Sequence, residues 1–127
     1  MALVLDLKPG ERVIIGETLI TNDQQRTRLH IDGTAPILRE KDIIRPEDAD
    51  TPCKNLYLTL QLMYLDRDPT RFHDGYFELV RKIQEAAPST AGILLDINQN
   101  IIGGSYYKAL KEAKRLIKYE AELIADA

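Results

Sequence analysis

Reactive side chains are scarce in this 127-residue chain. It has two histidines, His30 and His73, and one cysteine, Cys53. The three stand far apart in sequence, without the close ligand pairs by which zinc sites announce themselves. No Walker loop, no G-x-S-x-G and no H-E-x-x-H occurs. Gly103-Gly104-Ser105 has the glycines of a phosphate cradle but no lysine, and a helix-to-helix turn with a serine cap explains it better. These residue types point to a binding protein that uses no catalysis, no metal and no cofactor.

Binding chemistry has two candidate sources, both cationic. Arg26, Arg28 and His30 alternate with apolar Leu29 and Ile31, so period two puts them on one strand face. Guanidinium and imidazole groups in a row suit phosphates and bases. They equally suit cross-strand pairing with Glu11, Glu17 or Asp32. Arg39 and Lys41 add cations to the same half of the chain. Near the C-terminus Lys108, Lys111, Arg115 and Lys118 recur at helical spacing, a stripe about 15 Å long. It can follow phosphates or meet an acidic partner protein, or it is an ordinary solvated face supported by Glu112 and Glu122. Tyr57, Tyr64, Tyr76, Tyr106 and Tyr107 fall at helical core spacing and read as packing, with no base-stacking platform implied.

The elements that must position these groups fall into two modules. Residues 1–50 read as β structure. Leu3, Leu5 and Leu7 alternate; Lys8-Pro9-Gly10-Glu11 is a turn; residues 12–15 and 17–21 follow as strands around Gly16. A further strand covers 26–31, and one or two short strands lie between Pro36 and Ile44, anchored by Leu38, Ile43 and Ile44. About five short strands predict a compact barrel or sandwich. From Thr51 the period becomes helical, giving an α+β chain with a four-helix region over residues 51–127. Thr51-Pro52 opens the first helix, which is apolar almost all round: Leu58, Leu62 and Leu65 flank the row Leu56, Leu60, Met63. Leu58 is therefore a candidate subunit or partner contact, and a homodimer is one form of it. Asp68-Pro69 opens the second helix, with Phe72, Tyr76, Val80 and Ile83 on its buried face. Ser89 caps a third helix bearing Leu94, Ile97 and Ile101. Ser105 opens a last helix whose buried face is read as Tyr106, Leu110, Ala113, Ile117, Ala121 and Ile124.

Charge limits the function classes. Seventeen Lys and Arg face 20 Asp and Glu, a net charge of −3 and a pI near 5.4. Dedicated nucleic-acid binders usually carry a basic domain or patch; here only a local patch can serve. One cysteine allows no internal disulfide and suits a reducing compartment. The opening residues lack the pattern of a secretory signal, and no apolar run approaches the ~18 residues of a membrane span. The expectation is a cytoplasmic protein without a membrane partner.

Two family resemblances add to this reading. Leu7-Lys8-Pro9-Gly10-Glu11, Leu38-Arg39-Glu40-Lys41-Asp42-Ile43, Thr51-Pro52 with Met63-Tyr64-Leu65, and Gly104-Ser105-Tyr106-Tyr107-Lys108-Ala109-Leu110-Lys111 resemble, in order, the FlbT family of bacterial flagellar regulators. That resemblance implies a post-transcriptional regulator. It would bind the 5′ untranslated region of flagellin messenger RNA, lower its translation or lifetime, and work beside a second regulator, FlaF. A protein adaptor that binds flagellin or FlaF and alters translation indirectly is the rival implication. Within the β module, Leu3-x-Leu5-x-x-Lys8-x-Gly10-Glu11 and Arg28-Leu29-x-Ile31 through Arg39-Glu40 resemble the carbon-storage regulator CsrA, an intertwined dimer that binds messenger leaders. Carried over, Arg39 becomes the leading RNA candidate. The match departs where only Ile37-Leu38 separates Ala35-Pro36 from Arg39-Glu40, too short a gap for a full final strand.

Overall fold

The computed structural model describes residues 2–127, and Met1 of the opening segment lies outside them. Contacts divide the chain into Met1–Ile43 and Ile44–Ala127. Residues 45–50, a polar link by composition, carry a 3-10 turn at Pro46–Asp48 and belong to the second unit.

The first unit has five strands: β1 (Ala2–Leu7), β2 (Arg12–Ile15), β3 (Thr18–Thr21), β4 (Thr27–Asp32) and β5 (Ile37–Arg39). β1 pairs antiparallel with β4, and β2 lies between β3 and β5, also antiparallel. Turn chemistry sets the registers. Glu11 donates its N–H to the Lys8 carbonyl at 3.0 Å. Pro9 fixes the second turn position, and Gly10 at φ +74° takes the third, as a type II turn requires. Gly16, at φ +61°, leads the two-residue β2–β3 hairpin, the position where a II′ turn takes glycine.

Leu5, Leu7 and Val13 form the buried centre, with Ile15, Ile20, Leu29, Ile31 and Ile37 packed around them. This is the sandwich form of the expected β module; the sheets do not close into a barrel. As strands, β1 and β4 pair only with each other. β5 has three residues before the chain turns into a 3-10 helix at Glu40–Asp42, so no strand remains to join the sheets. Ile43 and Ile44 are accordingly outside any strand and half-buried.

The second unit holds α1 (Pro52–Leu65), α2 (His73–Ala86), α3 (Ala91–Ile102) and α4 (Tyr106–Ala125). α1 packs on α4 and α2, and α3 packs on α4. Thr51 is the N-cap of α1, accepting from the Lys54 N–H at 3.2 Å, with Pro52 at the first helical position. Leu56, Leu60 and Met63 are buried as their spacing predicts, while Leu62 stays 43% exposed. Buried Gln61 replaces a strand partner: its Nε2 donates to the Ile44 carbonyl and its Oε1 accepts from the Ile44 N–H.

Three local expectations are corrected. Asp68-Pro69 opens a 3-10 turn, Pro69–Phe72, and α2 starts only at His73, so half-buried Phe72 lies outside the helix. Ser89 caps no helix; it sits in a 3-10 turn before α3 and accepts from the Tyr119 hydroxyl at 2.7 Å. The buried row of α4 is Ala109, Leu110, Ala113 and Leu116, leaving Ala121 and Ile124 exposed. Through this row α4 packs on α1 and α3, and beyond it Glu120 turns toward α1 and caps it through Thr51 and Cys53. No described helix is long and apolar enough to cross a membrane.

Candidate nucleic-acid interface

The cations of the β unit do not all share one surface. β4 alternates half-buried Thr27, Leu29 and Ile31 with exposed Arg28, His30 and Asp32. Register places Asp6 opposite Arg28 and Val4 opposite His30, so these four share the outward face. Arg28 Nε donates to Asp6 Oδ1 at 3.0 Å, with both side chains more than half exposed. Arg26, immediately before β4, is exposed and makes no ion pair among the described residues.

Arg39 lies elsewhere. It is opposite Val13 in the β2–β5 register, on the face of the Val13–Ile20 core row. From there its Nη2 donates to the Asp6 carbonyl at 3.0 Å and stands 3.7 Å from Glu11 Oε2. Arg39 thus links the β5 edge to β1, and its charge is directed at a carbonyl and a carboxylate. Lys41 is exposed in the 3-10 turn after β5. The face carrying Arg26, Arg28 and His30 therefore does not extend to Arg39.

Sequence reasoning passed over Lys8. It follows β1 directly as Arg26 precedes β4, and both are exposed. Asn22 holds this end together, donating from Nδ2 to the carbonyls of Lys8 and Gln25, each at 2.9 Å. Lys8, Arg26 and Arg28 thus form a short cationic edge with two carboxylates at it: Asp6, paired with Arg28, and Glu11, which accepts from the Lys8 N–H at 2.9 Å. The signal was the register: Leu7 opposite Thr27 makes Lys8 the neighbour of Arg26.

On α4, Lys108 and Lys118 are exposed. Lys111 places Nζ 5.0 Å from the Tyr107 ring centroid. Arg115 is engaged by Glu112 at 2.7 Å and by Asp96 of α3 at 3.6 Å. Leu58 is half-buried. The tyrosines are not uniformly packed: Tyr57 and Tyr76 are buried, whereas Tyr107 is 41% exposed. Buried Tyr76 bonds to Asn98 Oδ1, and its burial raises the phenol's pKa. Cys53 is buried beside Glu120, and desolvation together with that carboxylate pushes the thiol up to about 12. Among the described residues no three His, Cys, Asp or Glu gather as a metal site.

No solved structure matches this chain. Curated proteins do. It is 54% identical over 124 residues to the probable flagellum biosynthesis repressor protein FlbT 1 of Bradyrhizobium diazoefficiens, covering 97% of this chain and 85% of that one. It is 46% identical to the probable flagellum biosynthesis repressor protein FlbT of Rhodopseudomonas palustris strain TIE-1, covering 98% and 99%. The flagellum biosynthesis repressor protein FlbT of Caulobacter vibrioides strain ATCC 19089 is 31% identical over 96% of this chain and 89% of its own. The model of the flagellar protein FlbT family matches residues 3–124, and the chain belongs to that family.

Proposed function

We propose that this protein is a cytoplasmic repressor of flagellum biosynthesis that binds the 5′ untranslated region of flagellin messenger RNA through the Lys8–Arg26–Arg28–His30 edge of its β unit. Its relatives named as flagellum biosynthesis repressors support the repressor role. The observation that carries the RNA role is the outward row of β4, where Arg28 and His30 are solvent-facing and Arg26 continues the row. A salt bridge as exposed as Arg28–Asp6 is worth little, so exchanging Asp6 for a phosphate costs little. With a net charge of −3 the molecule does not attract RNA globally; the contact is confined to this edge.

The test is titration of purified protein against a labelled flagellin leader at two salt concentrations. Arg26→Ala and Arg28→Ala each weaken binding and flatten the salt dependence by about one phosphate. Wild-type affinity and salt slope in both variants would end this reading.

A second reading is favoured by α1, where Leu62 is 43% exposed between half-buried Leu58 and Leu65. On that reading the chain is an adaptor. It carries flagellin, a FlaF-type regulator or a second copy on α1 and the Lys108–Lys118 side of α4. Leu58→Glu then alters assembly or partner binding and leaves leader affinity unchanged.

A further inference from the structure

Aromatic residues of the helical unit collect where α1 ends and α2 and α4 begin. Tyr64, in the last turn of α1, lies 5.6 Å from Tyr107 in the first turn of α4, tilted by 49°. Beside Tyr107, the Tyr106 hydroxyl is 3.4 Å from His73 Nε2. His73 meets Phe77 edge-on at 6.2 Å, and Phe77 meets Tyr76 at 5.1 Å. Two of these rings open to solvent: Phe77 is 47% exposed and Tyr107 is 41% exposed. Cations accompany the rings. Lys111 Nζ stands 5.0 Å from the Tyr107 centroid, and Arg71 Cζ stands 4.7 Å from that of adjacent Phe72. Lys108, next to Tyr107, is exposed. The nearby carboxylates are partly committed: Asp66 holds Arg71 at 2.7 Å, Asp68 accepts from Thr70, Glu78 beside Phe77 pairs with Arg81, Glu112 beside Lys111 pairs with Arg115, and Asp74 is exposed.

Partly exposed rings beside cations are the combination that binds single-stranded nucleic acid. Each base offers a π face whatever its identity, and each intervening phosphate finds a cation. An aliphatic protein surface would use the ring area and leave exposed Lys108 unmatched. Resting on the reading of this chain as a messenger-binding protein, we infer that Tyr107 and Phe77 stack unpaired RNA bases while Lys108 and Lys111 contact the flanking phosphates. The helical unit then reads the single-stranded part of a leader by stacking, and the β-unit edge supplies phosphate contacts of its own.

The experiment uses the full chain and two labelled 12-nucleotide probes, oligouridine and an abasic strand of the same length, followed by anisotropy at two salt concentrations. Wild type binds oligouridine about a hundredfold more tightly than the abasic strand, the value expected of two stacked bases at about tenfold each. Tyr107→Ala and Phe77→Ala each remove about tenfold of affinity for oligouridine and leave the salt slope unchanged, while Tyr107→Phe retains it. Lys108→Ala lowers the slope instead. The chain contains no tryptophan, so quenching of tyrosine emission on binding, lost in part in Tyr107→Ala, reports the stack directly. Equal wild-type affinity for the two probes overturns the inference without recourse to any variant. So do variants that bind oligouridine as wild type does, or a Tyr107→Ala protein that loses a protein partner and keeps RNA. If Arg26→Ala and Arg28→Ala still weaken leader binding in those cases, the β-unit reading stands alone. Absence of any RNA binding by wild type overturns both.

Discussion

Glu120, near the C-terminal end of α4, caps the first turn of α1 by accepting a hydrogen bond from the Cys53 backbone N–H at 3.0 Å. Its other oxygen accepts from the Thr51 hydroxyl, which itself accepts from the Lys54 N–H. Helix starts leave backbone donors without partners. Here one is satisfied locally by Thr51 and one by a residue 67 positions away. The carboxylate also complements the positive end of the α1 dipole.

Removing this cap should loosen α1 from α4. Glu120→Ala strands the Cys53 N–H and the Thr51 hydroxyl, and the expected loss is about 1–2 kcal/mol in urea unfolding. Thr51→Ala should lose a similar amount. The double variant should lose less than the sum, because both residues serve one network. Full additivity would show that the two act independently.

Cys53 offers a chemical readout of the same contact. Its thiol is buried and its pKa is pushed up to about 12 by burial and by Glu120, so thiolate is scarce at pH 8 and disulfide reagents should not label the native protein. Labelling should appear on unfolding and accelerate in Glu120→Ala. The pH effect follows in sign. A thiol whose folded value is raised keeps its full stability contribution below the unfolded value near 9, and loses it as pH rises toward about 12. Cys53→Ala should remove that part of the alkaline decline, measured as unfolding free energy across the window.

Arg39 and Arg28 should separate by phenotype. Arg39→Ala removes the 3.0 Å bond to the Asp6 carbonyl and should destabilise the β unit by about 1 kcal/mol, lowering the thermal midpoint. Arg28→Ala breaks only an exposed pair and should change stability by less than about 0.5 kcal/mol, while weakening leader binding. An Arg39→Ala protein of wild-type stability that has lost RNA affinity would reverse these roles.

Gln61 should be intolerant of apolar replacement despite its surroundings. Gln61→Leu keeps the volume but leaves the N–H and carbonyl of Ile44 without the partners they have now. The expected cost is about 1–3 kcal/mol, seen as a lower denaturation midpoint at unchanged secondary structure by circular dichroism.

The α4 stripe tests the protein-contact proposal. Arg115→Glu with Lys118→Glu, which spares Lys108 and Lys111, reverses two exposed charges and gives up the Arg115 pairs with Glu112 and Asp96, which are worth little at the surface. The thermal midpoint should hold, and affinity for a FlaF-type partner should fall. Loss of leader affinity with the partner retained would exchange the surfaces.

The sequence by itself determined the order of the elements and the starts of β1, β4 and α1, because the causes are local. Pro9-Gly10 and Gly16 dictate turn conformations through their own φ preferences, period-two apolar residues mark β1 and β4, and Thr51-Pro52 starts α1 with its own side chain and ring. The outward placement of Arg28 and His30 was legible for the same reason, since alternation fixes the face of a strand once Leu29 and Ile31 point inward. Tertiary structure decided whatever depends on a partner distant in the chain. Which residues α4 buries followed from its packing on α1 and α3, and Glu120 reaching the start of α1 is a contact that no helical period encodes. Arg39 became a link to β1 because β5 stops after three residues and the sheets stay separate. The tyrosines, all at core spacing, split into buried and exposed according to what other elements bring against them. Tyr76 is fully buried and bonds to Asn98 of α3, while Tyr107 meets Tyr64 at the end of α1 and stays 41% exposed, although both lie in the first turn of their helices.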